Sequence, residues 1–174
     1  MISFLALLIL PLLSSTHNER IQTDENAEFK ALYAITSTSP ETAYVVGETG
    51  TILATRDGGK AWTILHKPKG PASDLYGIAF ANRALGLAVG RDGIILRTTD
   101  GGKTWSQIPS GTTHSLLSVR FATATDAWCA GFEGTILKSD DGGKSWLAQR
   151  PGVQNHIWSL TFSGKKTGWA CGSG

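Results

Sequence analysis

Three aspartates recur in one setting. Asp57, Asp100 and Asp141 stand in the strings Thr55-x-Asp57-x-Gly59-x-x-Trp62, Thr98-x-Asp100-x-Gly102-x-x-Trp105 and Ser139-x-Asp141-x-Gly143-x-x-Trp146. Carboxylates are what general acid–base and glycosyl-transfer chemistry requires, and they also bind hard cations. The spacing argues for a third use. An Asp at the head of a hairpin accepts hydrogen bonds from backbone N–H groups just after it. The Gly pair that follows permits a tight reversal, and the Trp can fold back over the hairpin as an apolar lid. Repetition at matched offsets favours this architectural reading, so the twelve named residues are read as structural and no catalytic residue is assigned.

Other side chains offer little chemistry. His17, His66, His114 and His156 show no paired spacing, and Cys129 and Cys171 lack the spacing of a zinc site, so neither a metal nor another cofactor is expected. On the expected strands the two cysteines could face each other across a gap between sheets. Sheets stack about 10 Å apart, too far for a disulfide, so two buried free thiols are expected. A net charge of +2, with Lys and Arg dispersed among acidic residues, gives no phosphate-binding stripe and tells against nucleic acid.

The elements that carry these residues repeat. Trp62, Trp105 and Trp146 lie 43 and 41 residues apart, and a fourth copy starts at Ile157. A composition of 21 Gly and 6 Trp, with 41% hydrophobic and 17% charged residues, suits a folded, turn-rich β protein. Each unit reads as four short strands, which matches the period of a β-propeller blade. Blades are expected over 30–73, 74–114 and 115–155, with a partial one over 156–174.

The first strand of each unit is LYAITS, LYGIAF, LLSVRF and IWSLTF. Period-two reading puts Tyr33, Tyr76, Leu117 and Trp158 on a bulky face with Ile35, Ile78, Val119 and Leu160. Ala34, Gly77, Ser118 and Ser159 form the opposite, small face, which suits an innermost strand near a crowded axis. The second strands place Tyr44, Leu87, Trp128 and Trp169 at one equivalent position. Gly47 and Gly50, Gly90 and Gly93, and Gly131 and Gly134 flank two-residue hairpin loops. Trp128, Trp158 and Trp169 are expected between blades; a sugar-stacking platform is the other reading.

The N-terminus differs. Phe4 to Leu13 is an apolar run of signal-peptide length, too short to span a bilayer as a helix. Residues 1–16 are read as an export signal, implying a periplasmic, lumenal or secreted chain with no integral membrane span. Residues 17–29 are a linker or a first-blade closing strand.

The aspartate turns are those called Asp-boxes. With GETGTILATRDGGKAW, LYGIAF and GLAVG, the sequence from about residue 30 to 174 resembles the photosystem II stability/assembly factor family of β-propellers. The resemblance implies a non-enzymatic, extracytoplasmic scaffold that binds a protein client, either a membrane protein or its assembly complex. It also implies an arginine patch, whose nearest matches are Arg91 in a blade turn, Arg97 on a third strand and Arg120 on an inner strand. Arg97 is replaced by Ala54 and Lys138 in the other units, so the feature is not repeated from blade to blade. Family propellers close with more blades, so the chain is expected to be a piece of a larger closed propeller; an arc completed by a second copy is the alternative. Asp-boxes also occur in sialidases and endoglucanases, which makes a glycoside hydrolase fragment a competing reading. The inner strands carry no pair of carboxylates for it. A carbohydrate- or peptide-binding receptor propeller is the third.

Overall fold

The computed structural model describes residues 31–66, 72–150 and 152–174. The expected export signal and the segment 17–29 lie outside the described residues. The chain forms three four-stranded antiparallel meanders and a two-stranded sheet. The first holds β1 (Leu32–Ser37), β2 (Ala43–Gly47), β3 (Ile52–Thr55) and β4 (Thr63–His66). The second holds β5 (Leu75–Phe80), β6 (Gly86–Gly90), β7 (Ile95–Thr98) and β8 (Ser106–Gln107). The third holds β9 (Leu116–Phe121), β10 (Ala127–Gly131), β11 (Ile136–Ser139) and β12 (Leu147–Gln149). A hairpin of β13 (Ile157–Ser163) and β14 (Thr167–Gly172) follows. Strands pair strictly in chain order, and the first strands β1, β5, β9 and β13 pack against one another from sheet to sheet. The architecture is all-β: successive propeller blades whose first strands are innermost.

The core lies in the seams between blades. Between the first and second, Tyr44, Val46 and Ile52 meet Leu75, Ile78 and Leu96. Between the second and third, Leu87, Val89 and Ile95 meet Leu116, Val119, Cys129 and Leu137. Between the third and the hairpin, Ala130 meets Ile157 and Leu160. Full burial of side chains of this size stabilises by about 1.5–3 kcal/mol each, which is why short strands suffice.

The innermost strands depart from simple alternation. Each skips one residue where it pairs with its neighbour: the register shifts between Leu32 and Ala34, Leu75 and Gly77, Leu116 and Ser118, and Ile157 and Ser159. These are β-bulges, and a bulge re-aims the residue left unpaired. Tyr33, Tyr76, Leu117 and Trp158 therefore leave the packing face expected for them. Leu75 and Leu116, one position earlier, are buried in their place. Tyr33 is 45% exposed and Trp158 52%.

The loop after the second strand is also displaced by one residue from the expectation. Its centre is Thr49–Gly50, Asp92–Gly93 and Glu133–Gly134, with every one of the six at positive φ. Two positive φ values are the signature of the type I′ turn, whose twist matches a hairpin. The earlier glycine, Gly90, is extended instead, and its requirement is steric. A Cβ there would overlap the backbone carbonyl of Asp74.

Candidate functional site

At one end of the blades lie the aspartate turns. Thr98 Oγ1 donates to Asp100 Oδ1 at 2.8 Å and accepts from the Gly102 N–H at 2.9 Å. Asp100 Oδ1 accepts from the Thr104 N–H at 2.9 Å, and Oδ2 from the Thr104 hydroxyl at 2.6 Å. Thr55 and Asp57 make the same pair at 2.8 Å, with the Ala61 N–H on Asp57 at 3.0 Å. Ser139, Asp141 and Ser145 repeat the arrangement. The division of labour differs from the sequence reading: the Thr or Ser hydroxyl closes the first part of the turn, and the carboxylate reaches N–H groups three or four residues on. The positive φ of Gly58 and Gly59 at 76° and 92°, repeated in the later copies, supplies the reversal.

These hydrogen bonds fix the charge state. The Thr104 hydroxyl and N–H, then Thr98, hold Asp100 down to about 2. Asp141 is lowered further, first by the Ser145 hydroxyl, and Asp57 is lowered by the Ala61 N–H and Thr55. A carboxylate so held is ionised at neutral pH and is a poor proton donor.

The second and third of these turns also grip the preceding blade. The Gly101 carbonyl accepts from the Tyr44 hydroxyl at 3.1 Å and from Arg56 at 3.3 Å. The Gly142 carbonyl accepts from Arg97 Nε at 2.8 Å. Trp105 and Trp146 are half-buried against the seam cores shared with the preceding blade, so they cover an interface and not only their own hairpin. The indole Nε1 atoms of Trp62, Trp105 and Trp146 are buried without a hydrogen-bond partner. The matched positions of Tyr44 and Leu87 were the sequence signal for this docking.

The three arginines are not brought together. Arg97 is bound into the seam just described. Arg120, at the far end of β9, opposes Trp128 and donates to its neighbour's carbonyl, Val119 O, at 2.8 Å, with its side chain exposed. Arg91 belongs to the type I′ turn at the opposite end and pairs with Asp74 at 2.9 Å. Asp74 also accepts the Thr49 N–H of the first blade at 3.0 Å, so it ties two blades together. Ala72, Ser73, Asp74, Arg91 and Asp92 line an open depression of ≈ 330 Å³.

The cysteine expectation needs correction. Cys129 is fully buried and faces the second blade, and burial pushes its thiol well up. Cys171, on the exposed strand β14, is itself exposed, so only one of the two thiols is buried. Of the three tryptophans expected between blades, Trp128 lies in the seam with its ring 5.7 Å from Phe162. Trp158 and Trp169 are more than half exposed, at 52% and 57%. Among the described residues no three His, Cys, Asp or Glu side chains are grouped to hold a metal, and no helix is long and apolar enough to cross a membrane.

Blades packed by seams, with their carboxylates engaged in turns and an open end lined by mixed side chains, define a propeller of the repeat type. The chain belongs to the family of the Photosynthesis system II assembly factor YCF48, whose profile matches residues 13–114, more than half of its length. It is similar to a solved YCF48 bound to D1 peptide, with 28% identity and a TM-score of 0.61 over 67% of this chain and 39% of that one. It is also similar to YCF48 from Cyanidioschyzon merolae, with 19% identity and a TM-score of 0.68 over 82% of this chain and 48% of that one. The GH74 enzyme of Niastella koreensis shares the fold, at 18% identity and a TM-score of 0.61 over 76% of this chain and 24% of the enzyme. The chain thus spans less than half the length of these solved proteins. Among curated proteins none matches significantly.

Proposed function

We propose that this chain is an exported, non-enzymatic propeller scaffold that holds a segment of a client protein during assembly of a membrane complex of the photosystem type. Membership of the assembly-factor family carries the reading, and the relative solved with a D1 peptide names the class of client. Arg120, exposed on β9, is a candidate contact for a client carboxylate, whereas Arg91, also exposed, is already paired with Asp74. Arg97 serves the seam. The non-enzymatic part rests on two features. The repeated aspartates are engaged in their turns, and β1, β5, β9 and β13 carry no Asp or Glu.

The test is titration of a synthetic D1 peptide into the purified chain by calorimetry, beside an assay for reducing ends released from soluble β-glucan. Saturable peptide binding with no hydrolysis is expected. Hydrolysis that disappears on substitution of Asp57, Asp100 or Asp141 would replace the scaffold by a glycosidase. Export is checked by mass spectrometry of the chain recovered from a periplasmic fraction, with removal of about the first 16 residues as the expected result.

A further inference from the structure

The four bulges leave four residues without a cross-strand partner: Tyr33, Tyr76, Leu117 and Trp158. Because the inner strands pack successively, these side chains form a row around the end of the blades that carries the type I′ turns. The Tyr33 and Tyr76 rings meet edge-on at 5.3 Å. At the other end of the row Trp158 meets Phe132 at 6.4 Å, and Phe132 stacks on His156 at 4.5 Å. Tyr33, Phe132 and Trp158 are 45%, 36% and 52% exposed. The seams do not need these rings, since Leu75, Leu116 and Ile157, one residue earlier, fill them. Two aromatic clusters, Tyr33 with Tyr76 and Phe132 with His156 and Trp158, flank the half-buried Leu117 along these strands, and rings displaced from the packing parity by a repeated backbone device form an interaction surface.

Its charge is one-sided. The turns of successive blades bring Glu48, Asp92 and Glu133 to this end. The one arginine of those turns, Arg91, is already paired with Asp74. Glu48 accepts from the Tyr33 hydroxyl at 3.3 Å, and Glu133 lies 3.6 Å from the His114 ring, so the acidic groups are interleaved with the rings.

We propose that this rim docks an extended segment of a protein client whose apolar side chains seat on the aromatic row and whose flanking Lys or Arg side chains meet Glu48, Asp92 and Glu133. The inference rests on the protein-binding reading and adds to it a surface and a sign of charge. That sign is the opposite of what an arginine patch would select. Rings give affinity because they present large rigid areas at small entropic cost, and the carboxylates select the flanking charge.

The test uses fluorescein-labelled peptides read by anisotropy: one alternating Phe with Lys, one Phe with Glu, and one Ser with Lys. The unmodified chain is expected to prefer the Phe/Lys peptide. Tyr76→Ala and Trp158→Ala should each weaken it about tenfold, the scale of a truncated anchor. The double variant Asp92→Lys/Glu133→Lys should reverse the preference toward Phe/Glu. Leu147→Ala, on the exposed outer strand β12, should change nothing, and circular dichroism checks that every variant is folded. Equal binding of Phe/Lys and Phe/Glu, or Phe/Lys binding that survives all the rim substitutions, overturns the rim. If the D1 peptide still binds such variants unchanged, the scaffold reading stands and only the rim falls. If the unmodified chain binds no peptide at all, both fall.

Discussion

Replacing Thr98 by Val isolates the hydroxyl that closes the aspartate turn. Thr98 is 1% exposed, and Val matches its shape without the oxygen. The Gly102 N–H, 2.9 Å from that oxygen in a buried setting, is then left without an acceptor. An unsatisfied buried donor costs about 1–3 kcal/mol. Asp100 also loses a donor, but its carboxylate faces water and recovers a partner there, so nothing is added for it. Thr98→Val should therefore destabilise by about 2 kcal/mol. Thr98→Ser keeps the oxygen and removes one methyl, about 0.8 kcal/mol, and Ser139 already occupies the equivalent place in the third blade. For a chain of this size each kcal/mol moves Tm by roughly 2–4 °C. The expectation is a fall of about 4–8 °C for Val and about 2–3 °C for Ser. Urea unfolding followed by tryptophan fluorescence gives the same comparison at constant slope. A Val variant as stable as the Ser variant would refute the assignment, because shape alone would then account for the turn.

Acid should weaken the fold through these same turns. Asp100 is lowered to about 2 in the folded chain, so its stabilisation is complete above the ordinary carboxylate value near ~3.9 and is lost as pH falls through about 2. Asp100→Asn should flatten the urea midpoint between those limits, and an unchanged pH profile would count against it. Gly90→Ala should cost about 3 kcal/mol, since the added Cβ meets backbone that cannot yield, whereas Gly59→Ala should cost about 1–2 kcal/mol for positive φ alone. Equal effects in thermal melts would show that the contact at Gly90 relaxes. Ellman's reagent should titrate Cys171 in the folded chain and Cys129 only after unfolding; rapid labelling of both would contradict the burial of Cys129.

Much of this molecule is legible in its sequence because a blade is a local object. Strand, turn and strand follow each other in chain order, so the strings ending at Trp62, Trp105 and Trp146 are enough to set the repeat, the meander and the aspartate turn. The faces of the second and third strands also follow from period two: Tyr44 and Leu87 both point into the seam toward the following blade, as their equivalence requires.

What escaped was decided between elements. Alternation in β5 places Tyr76 with Ile78, but the bulge opposite Gly90 cancels that parity and gives the seam to Leu75. The bulge accompanies the close approach of the Gly90 backbone to Asp74, a contact between strands that alternation within β5 does not encode. The arginines are separated for a similar reason. Arg91, Arg97 and Arg120 carry the same charge, yet a neighbouring carboxylate, a glycine carbonyl of the following blade and a carbonyl of its own strand capture them in turn. Sequence by itself determined the blades, the turns and the residue types available, since these depend on contacts within a few positions. Only the tertiary structure decided which rings leave the core and which charges remain free, since those depend on where one blade's backbone meets the next.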